Sequence, residues 1–110
     1  MLENNLDVPR LAPCLSRLAL QQVLEVTQEI TKVPRKEIIS PARWPRLVRA
    51  RYIYVYAAST LTLRSLTDIG RLINRDHSTV IHGLDKVRHR RQDFEPELSQ
   101  VMAKLEGMLK

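Results

Sequence analysis

Cysteine, long apolar runs and a secretory signal are scarce or missing in this chain of 110 residues. The single cysteine, Cys14, excludes an internal disulfide, and no Cys/His cluster has the spacing of zinc ligands. No apolar run approaches the roughly 20 residues that a membrane span needs, and the first residues lack the apolar stretch of a signal peptide. We therefore expect a cytoplasmic protein without a membrane partner or a bound metal.

Aromatic residues and glycine are also scarce. The chain has one Trp, three Tyr, one Phe and three Gly, whereas 44% of its residues are apolar. This composition is poor for a β-sandwich and ordinary for a helix bundle, and the length fits one domain with one core. We predict an all-α fold, a bundle of about six helices.

The patterns of common catalytic sites are absent as well. The sequence has no Gly-x-x-x-x-Gly-Lys-Ser/Thr phosphate loop, Cys14 has no histidine near it in sequence, and most carboxylates lie towards the two ends of the chain. We expect a protein that is not an enzyme and that uses neither a cofactor nor a small-molecule substrate.

Positive charge is concentrated in the middle of the chain. The net charge is +6, but residues 32–91 contain 14 Lys and Arg against four acids, a net of +10, and the two flanks together carry −4. Such a concentration is typical of proteins that bind a polyanion such as nucleic acid. A solvated surface on a basic protein would give the same count, so charge alone leaves both interpretations open.

Apolar spacing and prolines divide the chain into a tail and one domain. We expect a flexible tail over residues 1–13 and a helical domain over 14–110. A three- and four-residue apolar spacing predicts a first helix over about 14–32, followed by a short helix over 34–39 that begins with a proline. After Pro96 the same spacing predicts a final amphipathic helix.

A basic loop and a central helix follow the short helix. The loop, residues 40–46, contains Pro41 and Pro45 and is expected to be irregular. Dense apolar residues over 47–61 predict a central helix that is covered on more than one face. The loop and the first turns of this helix share four arginines: Arg43, Arg46, Arg49 and Arg51.

Two helices separated by a tight turn are predicted over about 65–91, which is the layout of a helix-turn-helix. Ser65 with Asp68 three residues later is an N-cap signature for the first of these helices. Either Asp76 or Ser78 can cap the second. The sequence therefore predicts a helix-turn-helix that is preceded by a basic loop.

The start of the second helix carries polar side chains suited to reading DNA: Arg75, Asp76, His77, Ser78 and Thr79. This end of a recognition helix enters the major groove, where carboxylate, imidazole and hydroxyl groups pair with base edges. The same residues also fit a helix start that is merely well capped. His82, five residues after His77, points to a different face, so it fits helix packing or phosphate contact and not a metal pair.

The four arginines also have a functional and a structural interpretation. Arginine in a flexible loop suits a narrow, A·T-rich minor groove, and arginine at a helix start suits phosphate contact. We expect at least two of the four to contact DNA, with the others solvating the central helix. Trp44 fits equally well at the edge of the core or against a sugar or base.

Three stretches of the sequence form a specific combination. They are Val48-Arg49-Ala50-Arg51-Tyr52-Ile53, Ser65-Leu66-Thr67-Asp68-Ile69-Gly70-Arg71, and Arg75-Asp76-His77-Ser78-Thr79-Val80-Ile81-His82 with Lys86 beyond. Together they strongly resemble the C-terminal DNA-binding domain of the bacterial replication initiator DnaA, over roughly residues 15–110. The resemblance implies a helix bundle that binds double-stranded DNA at a nine-base-pair box, TTATNCACA.

The resemblance also implies a role for each matching residue. Arg43 matches the loop arginine that enters the minor groove, and Arg51 matches the arginine that holds a phosphate. Residues 75–79 match the major-groove readers, and Lys86 matches a basic residue of the signature. A protein with these contacts is expected to associate with the nucleoid.

Several positions depart from the family pattern. The loop has prolines, an alanine and Trp44 where Lys and Arg are usual, which bears on how tightly and how the minor groove is read. Ser78 replaces the commoner threonine and so lacks a methyl group that could touch a thymine. Tyr52 stands where glutamine is common, which bears on a contact with the DNA backbone.

Nothing in the sequence resembles the ATPase domain or the N-terminal partner-binding domain of the initiator. Because Met1 is followed by a tail of its own, we expect a stand-alone DnaA-like protein, in preference to an excised fragment. By occupying boxes without ATPase activity, it would regulate or target replication initiation or transcription. Two alternatives stay open: an adaptor that keeps the fold but binds the initiator or its regulators, and a non-specific DNA binder.

Overall fold

The structure, a computed structural model, describes residues 18–109. The predicted tail, the predicted helical residues 14–17 and Lys110 lie outside the described residues. The described residues form α-helices and no strand, which confirms the predicted all-α bundle. The six α-helices are α1 (Leu20–Thr31), α2 (Arg35–Ile38), α3 (Pro45–Leu61), α4 (Leu66–Leu72), α5 (His77–His89) and α6 (Glu97–Met108), with a 3-10 turn at Arg91–Phe94 before α6.

The first helix starts later in the described residues than its apolar spacing predicts. Leu18 and Ala19 are not helical, and α1 begins at Leu20. Ala19 has an extended backbone, with φ −84° and ψ 150°, and its N–H donates to Gln22 Oε1 at 2.8 Å. This side-chain contact satisfies the Ala19 N–H at the point where the extended chain turns into the helix.

The central helix starts earlier than predicted, because Pro45 is its first residue and does not keep the loop irregular up to Arg46. Proline suits this position, since its φ is helical and the N–H that it lacks has no partner in a first turn. The Trp44 carbonyl accepts from the N–H groups of Leu47 at 2.9 Å and Val48 at 3.0 Å. The loop therefore ends at Trp44.

Helix α3 lies at the centre of the bundle and contacts each of the other five α-helices. Its side chains are buried on more than one face, as their density predicts, and the consecutive residues Ile53, Tyr54 and Val55 are all fully buried. The Tyr54 hydroxyl donates to the carbonyl of Ile69 in α4 at 2.8 Å, and burial raises the pKa of this hydroxyl. Helix α3 thereby fixes the position of α4.

Helices α4 and α5 form the predicted helix-turn-helix, and each begins at a side-chain cap. The Ser65 hydroxyl accepts from the N–H of Asp68 at 3.1 Å at the start of α4. The Asp76 carboxylate accepts from the N–H of Thr79 at 3.1 Å at the start of α5. Of the two predicted caps for the second helix, the structure uses Asp76 and not Ser78.

The turn between α4 and α5 packs tightly against Gly70. Asn74 turns the chain with a left-handed backbone, φ 63°, and the Arg75 N–H donates back to the Gly70 carbonyl at 2.8 Å. A Cβ atom on Gly70 would lie 2.6 Å from the Arg75 carbonyl oxygen and 3.0 Å from a methyl of Val80. The tight turn thus requires glycine at this position.

Candidate nucleic-acid interface

A groove of about 510 Å³ lies between the α2–α3 loop and the start of α5. We call it the basic groove, because it brings together arginines from the loop, from α3 and from the helix-turn-helix turn. Its lining residues are Arg43, Val48, Arg51, Tyr52, Arg75, Asp76, Ser78, Thr79 and His82. Six of the ten predicted site residues therefore meet in one place.

The start of α5 presents short polar side chains at this groove. The Asp76 carboxylate accepts from the Ser78 hydroxyl at 3.0 Å as well as from the Thr79 N–H. These contacts hold the pKa of Asp76 below its usual value, so it stays a carboxylate that only accepts hydrogen bonds. His77, the first residue of α5, is exposed beside them but does not line the groove.

The exposed arginines of the loop region differ in their contacts. Arg43 is exposed and lines the basic groove, so its guanidinium is accessible from solvent. Arg46 is also exposed, but it lies outside the groove lining and its Nη2 forms an ion pair with Glu37 at 2.8 Å. This exposed pair is weak enough to exchange its partner.

The structure does not bring Arg49 to the basic groove. Its guanidinium donates to Glu97 in α6 at 2.6 Å and to the carbonyl oxygens of Asp93 at 3.1 Å and Glu95 at 3.4 Å. The contact with Arg49 is also the largest cause that lowers the pKa of Glu97. In the structure Arg49 therefore joins α3 to the C-terminal segment, and its contact with a phosphate stays a prediction.

Arg51 is nearly fully buried, with an exposed fraction of 3%. It donates to the carbonyl oxygens of Ile38 at 2.6 Å, Ser40 at 2.9 Å and Glu37 at 3.1 Å, at the end of α2. Burial lowers the pKa of this guanidinium, and the charges of Arg75 and Arg43 lower it further. Although Arg51 reaches the groove lining, its donors are engaged with backbone, which a phosphate ligand would have to replace.

Arg75 lies between the helix-turn-helix turn and the loop. Its Nη2 donates to the Ser40 carbonyl at 2.7 Å, and its Nη1 donates to the carbonyls of Ile73 at 3.3 Å and Asn74 at 3.1 Å. The side chain lines the basic groove, as the prediction of a DNA-reading residue requires. Its guanidinium, however, contacts two parts of the backbone.

Lys86 lies farther along α5 and is exposed. It does not line the basic groove, but it follows Thr79 and His82 at intervals of three and four residues on the same helix. Residues at these intervals share one helix face. Lys86 therefore extends the face that begins in the groove.

One wall of the groove was not predicted as part of the site. Tyr52 contacts His82 edge to face, with ring centroids 6.0 Å apart, and its other neighbour is Phe94 at 6.4 Å. The ring lies against Gly83, where a Cβ would be 2.7 Å from it. A glycine inside a predicted helix is a signal of such close packing. The edge-to-face contact with Tyr52 fits the helix-packing interpretation of His82, whose side chain is otherwise exposed.

Trp44 does not pack at the edge of the core. Its exposed fraction is 68%, the largest among the large apolar residues in the part of the chain that the structure describes. Its carbonyl accepts from the first turn of α3, so the Trp44 backbone is fixed at the end of the loop. The core-edge interpretation of Trp44 is therefore wrong, and its contact with a sugar or base stays a prediction.

Residues 18–109 offer no group of three or more side chains that could hold a metal ion. Over the same residues, no helix combines the length and the apolar character needed to cross a bilayer.

Comparisons with known proteins point to the helix-turn-helix. A family model described as "Bacterial dnaA protein helix-turn-helix" matches residues 20–87, which include α1 to α4 and most of α5. Two similar relatives are each named "Chromosomal replication initiator protein DnaA", one from Rhodopseudomonas palustris (strain BisB5) and one from Bradyrhizobium sp. (strain BTAi1 / ATCC BAA-1182). Each is 39% identical over 72 residues, which is 64% of this chain and 15% of the relative.

Proposed function

Because the chain belongs to the bacterial dnaA protein helix-turn-helix family, we propose that it binds double-stranded DNA through the basic groove, at sites that resemble TTATNCACA. The chain spans 15% of the length of the DnaA relatives that it matches, so we propose only the DNA-targeting part of what an initiator does. By occupying such sites it would regulate or target replication initiation or transcription. Binding needs no ATP in this proposal.

One observation carries the proposal: the loop residue Arg43 and the start of α5 open onto the same groove. A recognition helix that enters the major groove with its N-terminal residues leaves the adjacent minor groove within reach of a preceding arm or loop. An arginine is the side chain best suited to the negative potential of a narrow, A·T-rich minor groove. Two grooves of the same duplex would thus be read at once.

The residues at the start of α5 would supply the sequence preference. The Asp76 carboxylate accepts from a cytosine amino group, His77 pairs with a base edge, and the Thr79 methyl contacts a thymine methyl. The Ser78 hydroxyl donates to Asp76 in the free protein, and its oxygen can accept a hydrogen bond from the DNA. Base contacts of this kind each change affinity by about 1–3 kcal/mol.

Phosphate contacts would supply most of the affinity. Lys86 continues the groove-facing side of α5, and Arg46 can leave its exposed partner Glu37 for a phosphate. If about six phosphates are neutralised, the logarithm of the affinity falls with the logarithm of salt concentration with a slope of about −5. A steep salt dependence together with a site preference is the expected signature.

Fluorescence anisotropy tests the proposal with three labelled duplexes at about 150 mM salt: a consensus box, a scrambled box and a box with its central CAC altered. We expect a preference for the consensus of about a hundredfold, because each altered base pair costs on the order of 1–3 kcal/mol. His77→Ala should reduce this preference about tenfold, because it removes one of the base-edge contacts. Addition of ATP should leave the affinity unchanged.

His89→Ala is the matched control, since His89 is an exposed histidine at the other end of the same helix and its Nδ1 lies 2.8 Å from the Asp85 carbonyl oxygen. This variant should keep the wild-type preference. Equal, weak binding of the wild type to all three duplexes would contradict the proposal. It would favour the non-specific binder or the adaptor of the initiator.

A further inference from the structure

The loop that carries Arg43 is joined to the helix-turn-helix turn by a single side chain. Arg75 Nη2 donates to the Ser40 carbonyl in the loop at 2.7 Å, while its Nη1 holds two carbonyls of the turn. Loop and turn are 35 residues apart in sequence at this contact. The planar guanidinium, with donors on several sides, can span both segments at a fixed separation.

A second guanidinium shares the same acceptor. Arg51 Nη2 donates to the Ser40 carbonyl at 2.9 Å, and its Nε donates to the Ile38 carbonyl at 2.6 Å. Ser40 also donates its hydroxyl to the Glu37 carbonyl at 2.7 Å, so the start of the loop is fixed from three directions. We call Arg51, Arg75 and the Ser40 carbonyl the Ser40 clasp.

We infer that Arg75 is a positioning residue, which holds Arg43 at a set distance from the start of α5 so that both grooves of a duplex are met in register. This inference rests on the proposed function. It replaces the prediction that Arg75 reads a base edge, because its donors face backbone carbonyls of the loop and the turn.

Few hydrogen bonds from the rest of the loop would do the same work. Beyond Ser40, the Ala42 N–H donates to the Ser40 hydroxyl at 3.3 Å, a bond within the loop that does not reach α4 or α5. The partly buried Ala42 side chain packs against the hydrophobic core, but this non-directional contact does not fix the distance to α5. Arg43 itself is exposed. An ordered loop avoids the entropy cost of fixing it at the moment of binding, so the clasp should raise the affinity for DNA.

The first arm of the test contains no DNA. In ¹⁵N-labelled protein, Arg75→Met removes the donors but keeps an unbranched side chain, and we expect the heteronuclear NOE of the Ala42 and Arg43 amides to fall. The control is Arg71→Met, which removes an exposed guanidinium from the adjacent helix α4, where Arg71 forms an exposed ion pair with Asp68 at 3.2 Å. Unchanged loop amides in Arg75→Met would overturn the inference.

The second arm measures minor-groove discrimination. Each A·T pair of the box is replaced in turn by G·C or by inosine·C, which share a major-groove pattern but differ in the guanine amino group of the minor groove. At the pairs that Arg43 reaches, wild type should prefer inosine·C about tenfold. Arg75→Met should reduce this preference to about twofold, whereas Arg71→Met should keep it.

A double-mutant cycle separates positioning from direct reading. If Arg75 acts through Arg43, then Arg75→Met has little further effect on affinity in an Arg43→Ala background. The inference would be overturned if the losses of affinity from Arg75→Met and Arg43→Ala multiply in the double variant and Arg75→Met keeps the preference for inosine·C. Should Arg75→Met fail to fold, Arg75→Lys keeps the charge but cannot span loop and turn, and the same outcomes apply.

The two proposals fail in distinguishable ways. If box binding is absent in the wild type, the proposed function is wrong, and the loop amides of Arg75→Met still decide whether the clasp orders the loop. If box binding is present and the loop amides do not change, the clasp alone is wrong.

Discussion

The basic groove and the side of the bundle where α1 packs against α6 are held by different interactions. On the α1–α6 side most of the buried side chains are apolar, and Val23, Leu98 and Leu105 are fully buried. Thr27 of α1 is a buried polar residue, and its hydroxyl donates to the Val23 carbonyl of the same helix at 2.8 Å. The ion pair there, Lys104 with Glu29 at 2.8 Å, lies at the surface. On the groove side, charged side chains hold backbone atoms through the Ser40 clasp and the Asp76 cap.

Because the interactions differ, the two sides should respond differently to substitutions. Apolar burial is non-directional, and its contribution scales with the area removed from water. A guanidinium that donates to a carbonyl needs particular distances and angles, and a buried carbonyl that loses its donor costs about 1–3 kcal/mol. The groove should therefore be sensitive to displacements of a few atoms, and the α1–α6 side to lost volume.

The largest effect that separates the two sides is expected from a pair of glycine substitutions. Gly70→Ala would place a Cβ 2.6 Å from the Arg75 carbonyl oxygen, in the turn that carries the clasp. We expect it to lower the free energy of unfolding by about 2 kcal/mol, since overpacking typically costs 1–3 kcal/mol. Urea unfolding measures this loss, and the affinity for box DNA should fall as well.

Gly107→Ala is the matched control in α6. A Cβ there meets nothing within 4 Å, so alanine should raise the free energy of unfolding by up to about 0.5–1 kcal/mol through its better helix propensity. DNA affinity should not change. If the two substitutions had equal effects on stability and on DNA binding, the comparison between the two sides would not hold.

The sequence predicts the parts of this molecule that local signals determine. The Ser65 cap, the helix-turn-helix and the buried central helix follow from local residue patterns, whereas the choice of Asp76 over Ser78 as the second cap came only from the structure. The predicted start of α3 was wrong by two residues, because proline can either break a helix or begin one, and Pro45 begins this one.

The arginines could not be divided by sequence. Their closeness in sequence predicts the same DNA-binding role for Arg43, Arg49 and Arg51. Of these three, only Arg43 is both exposed and part of the groove lining. The acceptors of Arg49 lie 44 to 48 residues away in sequence, and those of Arg51 lie 11 to 14 residues away. Most of these acceptors are backbone carbonyls, which leave no trace in the residue pattern.

Arg49 lies at the boundary between the two sides and gives the next effect in size. Arg49→Met removes its partly exposed ion pair with Glu97 and two bonds to carbonyls, and should lower the free energy of unfolding by about 1 kcal/mol. Because the side chain lies outside the groove, the expected effect on DNA binding is only the loss of one distant positive charge. This loss should lower the affinity for box DNA by no more than about twofold. Thermal unfolding and anisotropy measure the two effects.

Arg43→Met serves as the control for Arg49→Met, since it makes the same exchange at the groove. It should leave stability within about 0.5 kcal/mol of wild type, as for other exposed positions, and lower DNA affinity by tenfold or more. A loss of DNA affinity in Arg49→Met as large as in Arg43→Met would restore Arg49 to the interface and move the boundary between the two sides.

The smallest effect concerns the charge of the α5 cap. The pKa of Asp76 is lowered in the folded protein, so its charged form stabilises the fold above the unfolded pKa of about 3.9, and this contribution is lost as pH falls through the lower folded value. Asp76→Asn keeps a capping oxygen but does not titrate in this range. The stability difference between wild type and Asp76→Asn should therefore be largest above about pH 5 and shrink towards pH 2.

All other acids titrate in both proteins and cancel in this difference, which melting temperatures from pH 2 to 6 would measure. If the difference did not vary with pH, the cap would act only through the position of its oxygen, which asparagine reproduces. Charge would then matter on the groove side only at the arginines.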